Sequence, residues 1–266
     1  MFGMGLGQFG FARSAIGAAI AAFNPASLFA AGQQGAWYDP SDFASMFQDS
    51  AGTVPVTATT QPVGRINDKS GRANHATQAT AAARPILQQD AGGRYYLAFD
   101  GVDDNLATAA IPFTTDKMSI FTGVLKAVST VLVIAELSAN TNTNTGSFYL
   151  VSGANFESLG RGDATVVGGQ ATSIASATPD TAVITATHDI AGDLSTIRRN
   201  AVAGTNGIAD KGLGNFGNHP LYIGSRAGAG FFFNGRMYSM IVRGAASSAQ
   251  EITDAETYVN SKTGAF

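Results

Sequence analysis

Residues 236–244 read RMYSMIVRG. Successive side chains point to opposite faces of an extended strand, so Met237, Ser239 and Ile241 should face one way and Tyr238, Met240 and Val242 the other. Both sets are largely apolar. A strand with two apolar faces is covered on both sides, so this one belongs inside a layered β structure. Working outward, short β-rich runs recur between turn signals at 94–99, 118–125, 131–137, 147–151, 182–187, 195–199, 220–223 and 231–242. Almost no helical periodicity separates them, which predicts an all-β sandwich or barrel. One helix closes the chain. In SSAQEITDAETYVNSKTG (247–264), Ser248 stands three residues before Glu251, the spacing of a capping box. Ile252, Ala255 and Tyr258 or Val259 then form an apolar stripe, and Gly264 suits the stop.

Composition agrees with that architecture. The chain has 266 residues, 32 of them glycine, and only 13% are charged. That length closes a core without covalent staples. A net charge of −3 gives no electrostatic footprint for nucleic acid. The absence of cysteine removes disulfides, thiolate metal sites and thiol nucleophiles together.

The first 35 residues differ from the rest, with Arg13 their single charge. They lack the basic start of a signal peptide, and Arg13 interrupts the apolar stretch. The helix-compatible run 11–23 would reach only ~20 Å, too short for a hydrocarbon core of about 30 Å, so no membrane span is expected. At helical period Phe9, Ala12, Ile16, Ile20 and Phe23 share a stripe, beside the small residues Gly17, Ala18, Ala21 and Ala22. Either this segment covers one end of its own domain, or it is a docking or self-association arm. The second reading makes Phe9, Phe11, Ile16, Ile20 and Phe23 the docking residues. It divides the chain into an arm, 1–35, and one β domain, 36–266.

Candidate chemistry is sparse. LAFDGVDDNLAT (97–108) places Asp100, Asp103 and Asp104 close together. Asp-Gly between two β-rich runs is a hairpin signal, and Asp and Asn there bond to their own backbone. The same residues, Asp103 and Asp104 with Asn105, could instead hold calcium with backbone carbonyls. We read a structural hairpin corner, with no metal and no cofactor. A β-sandwich glycosidase needs paired carboxylates about 5 Å apart on one face. The four glutamates are Glu136, Glu157, Glu251 and Glu256; two lie in the closing helix, and none forms such a strand pattern. No G-x-S-x-G elbow occurs. His75, His188 and His219 are far apart and read as isolated surface or turn histidines, and Arg161-Gly162-Asp163 reads as a turn. These observations lead to the expectation that the chain is not an enzyme. Two long, nearly uncharged loops, SANTNTNTGS (138–147) and DKGLGNFGNHP (210–220), either connect strands or bind a sugar. In the binding reading Asn142, Asn144, Asn215 and Asn218 supply hydrogen bonds and Phe216 a stacking ring.

YYLAFDGVDDNLAT (95–108), with LYIGSR (221–226) and FFFNGRMYSMIVRGAASSAQEI (231–252), resembles the two ends of a laminin-G-like, concanavalin A-like jelly roll. The likeness covers roughly 80–260. In that family a Phe-Asp-Gly-x-Asp-Asp strand pairs with a final Phe-Asn-Gly-Arg strand that runs into a short helix. Residues 36–78, from Trp37-Tyr38-Asp39-Pro40-Ser41 to Asp68-Lys69-Ser70-Gly71, resemble a segment recurrent in bacteriophage structural and tail-fibre-like proteins. The resemblance implies a jelly-roll virion component, associated with the tail tip or tail fibre and assembled in the host cytoplasm. Its arm would dock on other virion proteins or form a homo-oligomer, and its sandwich would project toward a host-surface glycan. Capsid decoration, or a carbohydrate-binding or adhesive module of a bacterial surface, is the alternative.

Overall fold

The computed structural model describes residues 23–266. Its strands, numbered in chain order, form two antiparallel sheets. The eight-stranded sheet holds β1 (Gly35–Tyr38), β5 (Ile86–Gln89), β6 (Tyr95–Asp100), β8 (Lys117–Lys126), β13 (Asp180–Asp189), β14 (Leu194–Arg199), β15 (Val202–Ala203) and β17 (Asn234–Arg243). The nine-stranded sheet holds β2 (Met46–Phe47), β3 (Arg65–Ile66), β4 (Ala76–Thr77), β7 (Leu106–Pro112), β9 (Leu132–Leu137), β10 (Ser147–Ser152), β11 (Asn155–Arg161), β12 (Thr172–Ala175) and β16 (Asn218–Ile223). The order in the first is β15-β14-β13-β8-β17-β6-β5, with β1 also on β17; in the second it is β12-β11-β10-β9-β16-β7-β4-β3-β2. The fold is thus the expected all-β sandwich.

Residues 236–243 lie in β17, which is buried between β8, β6 and β1. A register shift between Met237 and Ser239 breaks its alternation. Met237 therefore joins Met240 and Val242 in the inter-sheet core, while Ile241 faces the opposite side. Simple alternation groups Met237 with Ile241, and the shift separates them. A bulge inserts one residue and reverses the faces beyond it.

On the outer side of the eight-stranded sheet lies α1 (Ala249–Thr263). Its capping box is formed by Ser248 and Glu251, and Gly264 ends it in the left-handed region at φ 64°. Ala255 and Val259 pack on Phe121, Val183 and Ile241. The helix sits directly on backbone at Gly123, where a Cβ would lie 1.8 Å from Thr263 Oγ1.

The same cluster moves the N-terminal boundary. Leu28 and Phe29, on the 3-10 turn Pro25–Phe29, are buried in it, and Gly35 pairs with Arg243. Phe23, expected to be a docking residue, packs edge-on against Tyr258 at 6.4 Å. Residues 23–35 thus belong to the domain, because the outer sheet face needs their apolar side chains. Phe9, Phe11, Ile16 and Ile20 lie outside the described residues. Among the described residues no helix is long and apolar enough to cross a membrane.

The aspartate stretch is a corner and not a hairpin, since β6 and β7 belong to different sheets. Asp100 pairs with Asn234 and Phe99 with Gly235, so the FDG strand does lie beside the FNG strand. Gly101 has φ 80° and a Cβ there would meet Asn234 Cβ at 2.8 Å, which explains its glycine.

Candidate functional site

The outer face of the nine-stranded sheet carries a row of polar and aromatic side chains. Glu136 on β9 is directly opposite Tyr222 on β16 and Tyr149 on β10. Glu136 is fully buried although it faces away from the core. Its Oε1 accepts from Thr141 N at 2.6 Å, and its Oε2 from Arg226 Nε at 2.8 Å. One carboxylate therefore fastens two loops onto the sheet, 138–146 through Thr141 and 224–233 through Arg226. On the other side of Glu136, Tyr149 donates its hydroxyl to Glu157 Oε1 at 2.6 Å. Burial, and that hydrogen bond, push the Tyr149 phenol above its usual range.

Beside Tyr222 a cleft of about 430 Å³ opens between β4, the 101–105 corner and the 224–233 loop. Tyr222 is half-buried in it, with Thr77, Gln78, Asp103, Asn105 and Gly228 around it. Asn105 Nδ2 donates to Asp103 O at 2.8 Å, and Gln78 Nε2 to Asn105 O at 3.3 Å. These bonds fix the rim. Carboxylate oxygens of Asp100, Asp103 and Asp104 lie within 4.8 Å of one another. Burial, and the neighbouring Asp100 charge, push Asp104 up to about 6. Asp100 Oδ1 accepts from Val102 N at 2.8 Å and Asp104 Oδ2 from Asp100 N at 3.0 Å, the bonding of a turn. Nothing in the trio beyond the carboxylates themselves points to an ion.

The two loops singled out from composition do come together. Gly217 N donates to Gly146 O at 2.7 Å, and His219 Nε2 lies 3.0 Å from Thr145 O. Between them is a second cleft of about 250 Å³, bordered by Thr145, Asp163, Leu213, Asn215 and His219. Asn215 lines it; Asn142, Asn144 and Asn218 do not, although Asn142 and Asn218 are exposed. Phe216 is not a stacking ring. It is fully buried, 6.4 Å from both Phe148 and His188, because the lone aromatic of a polar loop is the group that anchors it to the core. His188 is likewise not a surface histidine. Its ring lies between Ser158 Oγ at 3.0 Å and Ser195 Oγ at 2.8 Å, and burial, with the Lys211 ammonium nearby, lowers its pKa to about 3. Lys211 is buried and donates to the carbonyls of Gln170, Gly207 and Ala209, which pins the second loop.

The Trp37–Ser41 and Asp68–Gly71 motifs are structural. Asp68 Oδ1 accepts from Trp37 N at 2.9 Å and from Ser70 N at 2.8 Å. Asp39 accepts from Ser41, from Tyr258 Oη at 2.8 Å and from Lys262 Nζ at 3.1 Å, joining the first strand to α1. Burial opposes its charge, but these bonds outweigh that and hold its carboxyl below the usual range.

No family model and no curated sequence matches the chain. Its fold does match solved structures. It superposes on a GH54 α-L-arabinofuranosidase soaked with a cyclic sulfate inhibitor with a TM-score of 0.62 and 13% identity, over 91% of this chain and 66% of that one. For an arabinofuranosidase complexed with arabinofuranosyl-α-1,2-xylobiose the values are 0.60, 15%, 91% and 65%. A botulinum neurotoxin type C structure, whose cell entry is described as dependent on two ganglioside molecules, gives 0.51 and 12%, over 73% of this chain and 48% of that one. The chain spans just under two thirds of the length of the arabinofuranosidase chains. At such identities the likeness is one of fold. It corrects the expectation that the chain is not an enzyme: that exclusion rested on a missing strand motif, and the matched fold is one that glycoside hydrolases use.

Proposed function

We propose that the chain is a carbohydrate-contacting β-sandwich of a bacteriophage virion, associated with the tail tip or tail fibre, and that the Tyr222 cleft takes an uncharged sugar. The observation that carries the sugar reading is the half-buried Tyr222 ring among Asp103, Asn105 and Gln78. A sugar presents an apolar C–H face to an aromatic ring and hydroxyls to fixed amides and carboxylates, and a site with one aromatic surface and few convergent polar groups fits both. Asp103 lines the cleft with the Asp100 carboxylate within 4.8 Å of it, so the rim disfavours acidic sugars. The ganglioside-dependent toxin and the arabinofuranosidases support a carbohydrate reading of the fold. Placement in a virion rests on the resemblance of 36–78 to phage structural proteins, and docking or homo-oligomer assembly on the apolar, nearly uncharged N-terminal segment.

A second reading, hydrolysis of a glycoside, is favoured by the arabinofuranosidase fold together with the acidic rim. Asp104, pushed up to about 6, would be able to give a proton in mildly acidic solution, the role one carboxyl of a glycosidase pair takes.

Calorimetric titration with bacterial surface oligosaccharides and with arabinoxylan fragments tests the binding. Replacing Tyr222 by Ala should weaken it at least about tenfold, the share of one large aromatic contact. Unchanged affinity would remove the cleft from the site. Release of reducing ends from arabinan or arabinoxylan, lost in Asp104→Asn, would favour the hydrolytic reading. A mass-spectrometric inventory of purified particles tests the virion placement.

A further inference from the structure

Phe231 combines features that a purely structural residue would not keep. It is 49% exposed, and its backbone is in the left-handed region at φ 52°. A bulky side chain is strained there, whereas glycine adopts the same conformation freely. The main-chain bonds of this loop do not need the ring: Phe231 O accepts from Val133 N at 2.9 Å, and Gly230 O from Arg226 N at 2.8 Å. What the strain preserves is therefore the side chain itself, and strain of this kind concentrates at functional positions.

The ring is also held from behind. The Arg226 guanidinium lies 4.8 Å from its centroid, and the same Arg226 is bound at 2.8 Å to the buried Glu136. A guanidinium against an aromatic face is a favourable contact, and here it fixes an exposed ring in place. Glu136 is the cross-strand neighbour of Tyr222. Tyr222, Glu136, Arg226 and Phe231 thus form an unbroken run of neighbours, and the loop that carries Phe231 also supplies Gly228 to the Tyr222 cleft.

We propose that Phe231 is a second stacking platform, so that this face holds an uncharged oligosaccharide of several units and not a single sugar. The inference rests on the reading of Tyr222 as a sugar platform. Tyr222 seats one unit, and the chain then runs along the 224–233 loop to lie on the open side of Phe231. A platform fixed in advance loses little freedom when the chain binds.

The experiment compares wild type with Phe231→Ala, Phe231→Gly and Tyr222→Ala. The probes are arabino- and xylo-oligosaccharides of one to six units and a printed array of bacterial surface oligosaccharides, with thermal melting of each variant in parallel. The wild type should bind longer chains more tightly. Phe231→Ala should erase that gain, about tenfold on the longest chain, while leaving the shortest unchanged. Tyr222→Ala should weaken every length. Phe231→Gly should bind like Phe231→Ala yet melt no lower than wild type, because it relieves the backbone strain. Equal loss at all lengths, or no loss at any, overturns the second platform while leaving the Tyr222 site standing. A clearly lower melting temperature for Phe231→Gly assigns the ring to packing and overturns it too. Self-association that depends on Phe231 would make it a contact between copies, also against the proposal. If wild type binds no probe, the Tyr222 reading falls first and this one with it.

Discussion

Glu136 offers the sharpest energetic test of the candidate face. Its side chain is fully buried, and its partner Arg226 is 17% exposed. Replacing Glu136 by Ala leaves the Thr141 N–H and the Arg226 guanidinium without their acceptor and opens a cavity beneath two loops. Breaking a buried ion pair by removing one partner costs about 3–5 kcal/mol. Glu136→Gln keeps the shape and one acceptor oxygen, which can still serve Thr141, but sets an amide N–H against Arg226 Nε. One charge-assisted bond is lost, about 2 kcal/mol. Arg226→Met alone should cost a similar amount, since it leaves the carboxylate buried and unpaired. The double variant Glu136→Gln/Arg226→Met should cost clearly less than the sum of the two, with a coupling of about 2 kcal/mol. Urea unfolding at neutral pH gives these values, provided the denaturant slope is unchanged across the set. Hydrogen exchange at the amide of Thr141 supplies a local reading, with faster exchange expected in Glu136→Ala. A cost below about 1 kcal/mol for Glu136→Ala, or additive single effects, would refute the picture of one carboxylate fastening both loops.

Asp104 is pushed up to about 6, above its unfolded value near ~3.9, so the native state holds the extra proton between these values. Stability should therefore fall as pH rises from about 4 to about 6 and stay lower above; Asp104→Asn should remove that slope and add about 2 kcal/mol at neutral pH, as read by melts across pH, with a loss there counting against it. A chelator should leave the melting temperature of the wild type unchanged. Gly123→Ala would place a Cβ 1.8 Å from Thr263 Oγ1 and should cost about 1–3 kcal/mol, with Thr263→Ala as second change recovering most of it in the same melts. Deleting residues 1–22 should leave a folded monomer that no longer joins particles. Deletion through residue 35 should unfold the domain, since it removes Leu28 and Phe29, each worth ~1.5–3 kcal/mol of burial, and the edge of β1.

The sequence showed what is local. Most of the long β runs, the Ser248–Glu251 cap and the Gly264 stop are each determined within a few residues and appear where expected. The resemblance pairs the FDG and FNG strands, and they do lie side by side. What escaped depends on distant partners. The bulge in β17 has no signature in its own residues, yet it turns Met237 to the other face. Glu136 and Arg226 are 90 residues apart, and only the β9–β16 pairing brings them within reach. Composition found the two polar loops, but it could not show that Phe216 turns inward while Phe231 stays out. Its β-rich run places Phe231 in a strand; its one local oddity is the Ala227-Gly228-Ala229-Gly230 stretch just before it.

The link between Asp39, Tyr258 and Lys262 sets a direction for the whole molecule. It clamps α1 to the end of the first strand, and Phe23 packs on that same Tyr258. The polypeptide therefore enters the domain on the outer side of the eight-stranded sheet, whereas Tyr222 and Phe231 occupy the outer side of the nine-stranded one. Anything tethered ahead of Phe23 is held on the side of the sandwich opposite the Tyr222 cleft. A row of copies fixed by that tether would present identical faces outward, so weak contacts with a repetitive surface could add as avidity without any contact between neighbouring copies.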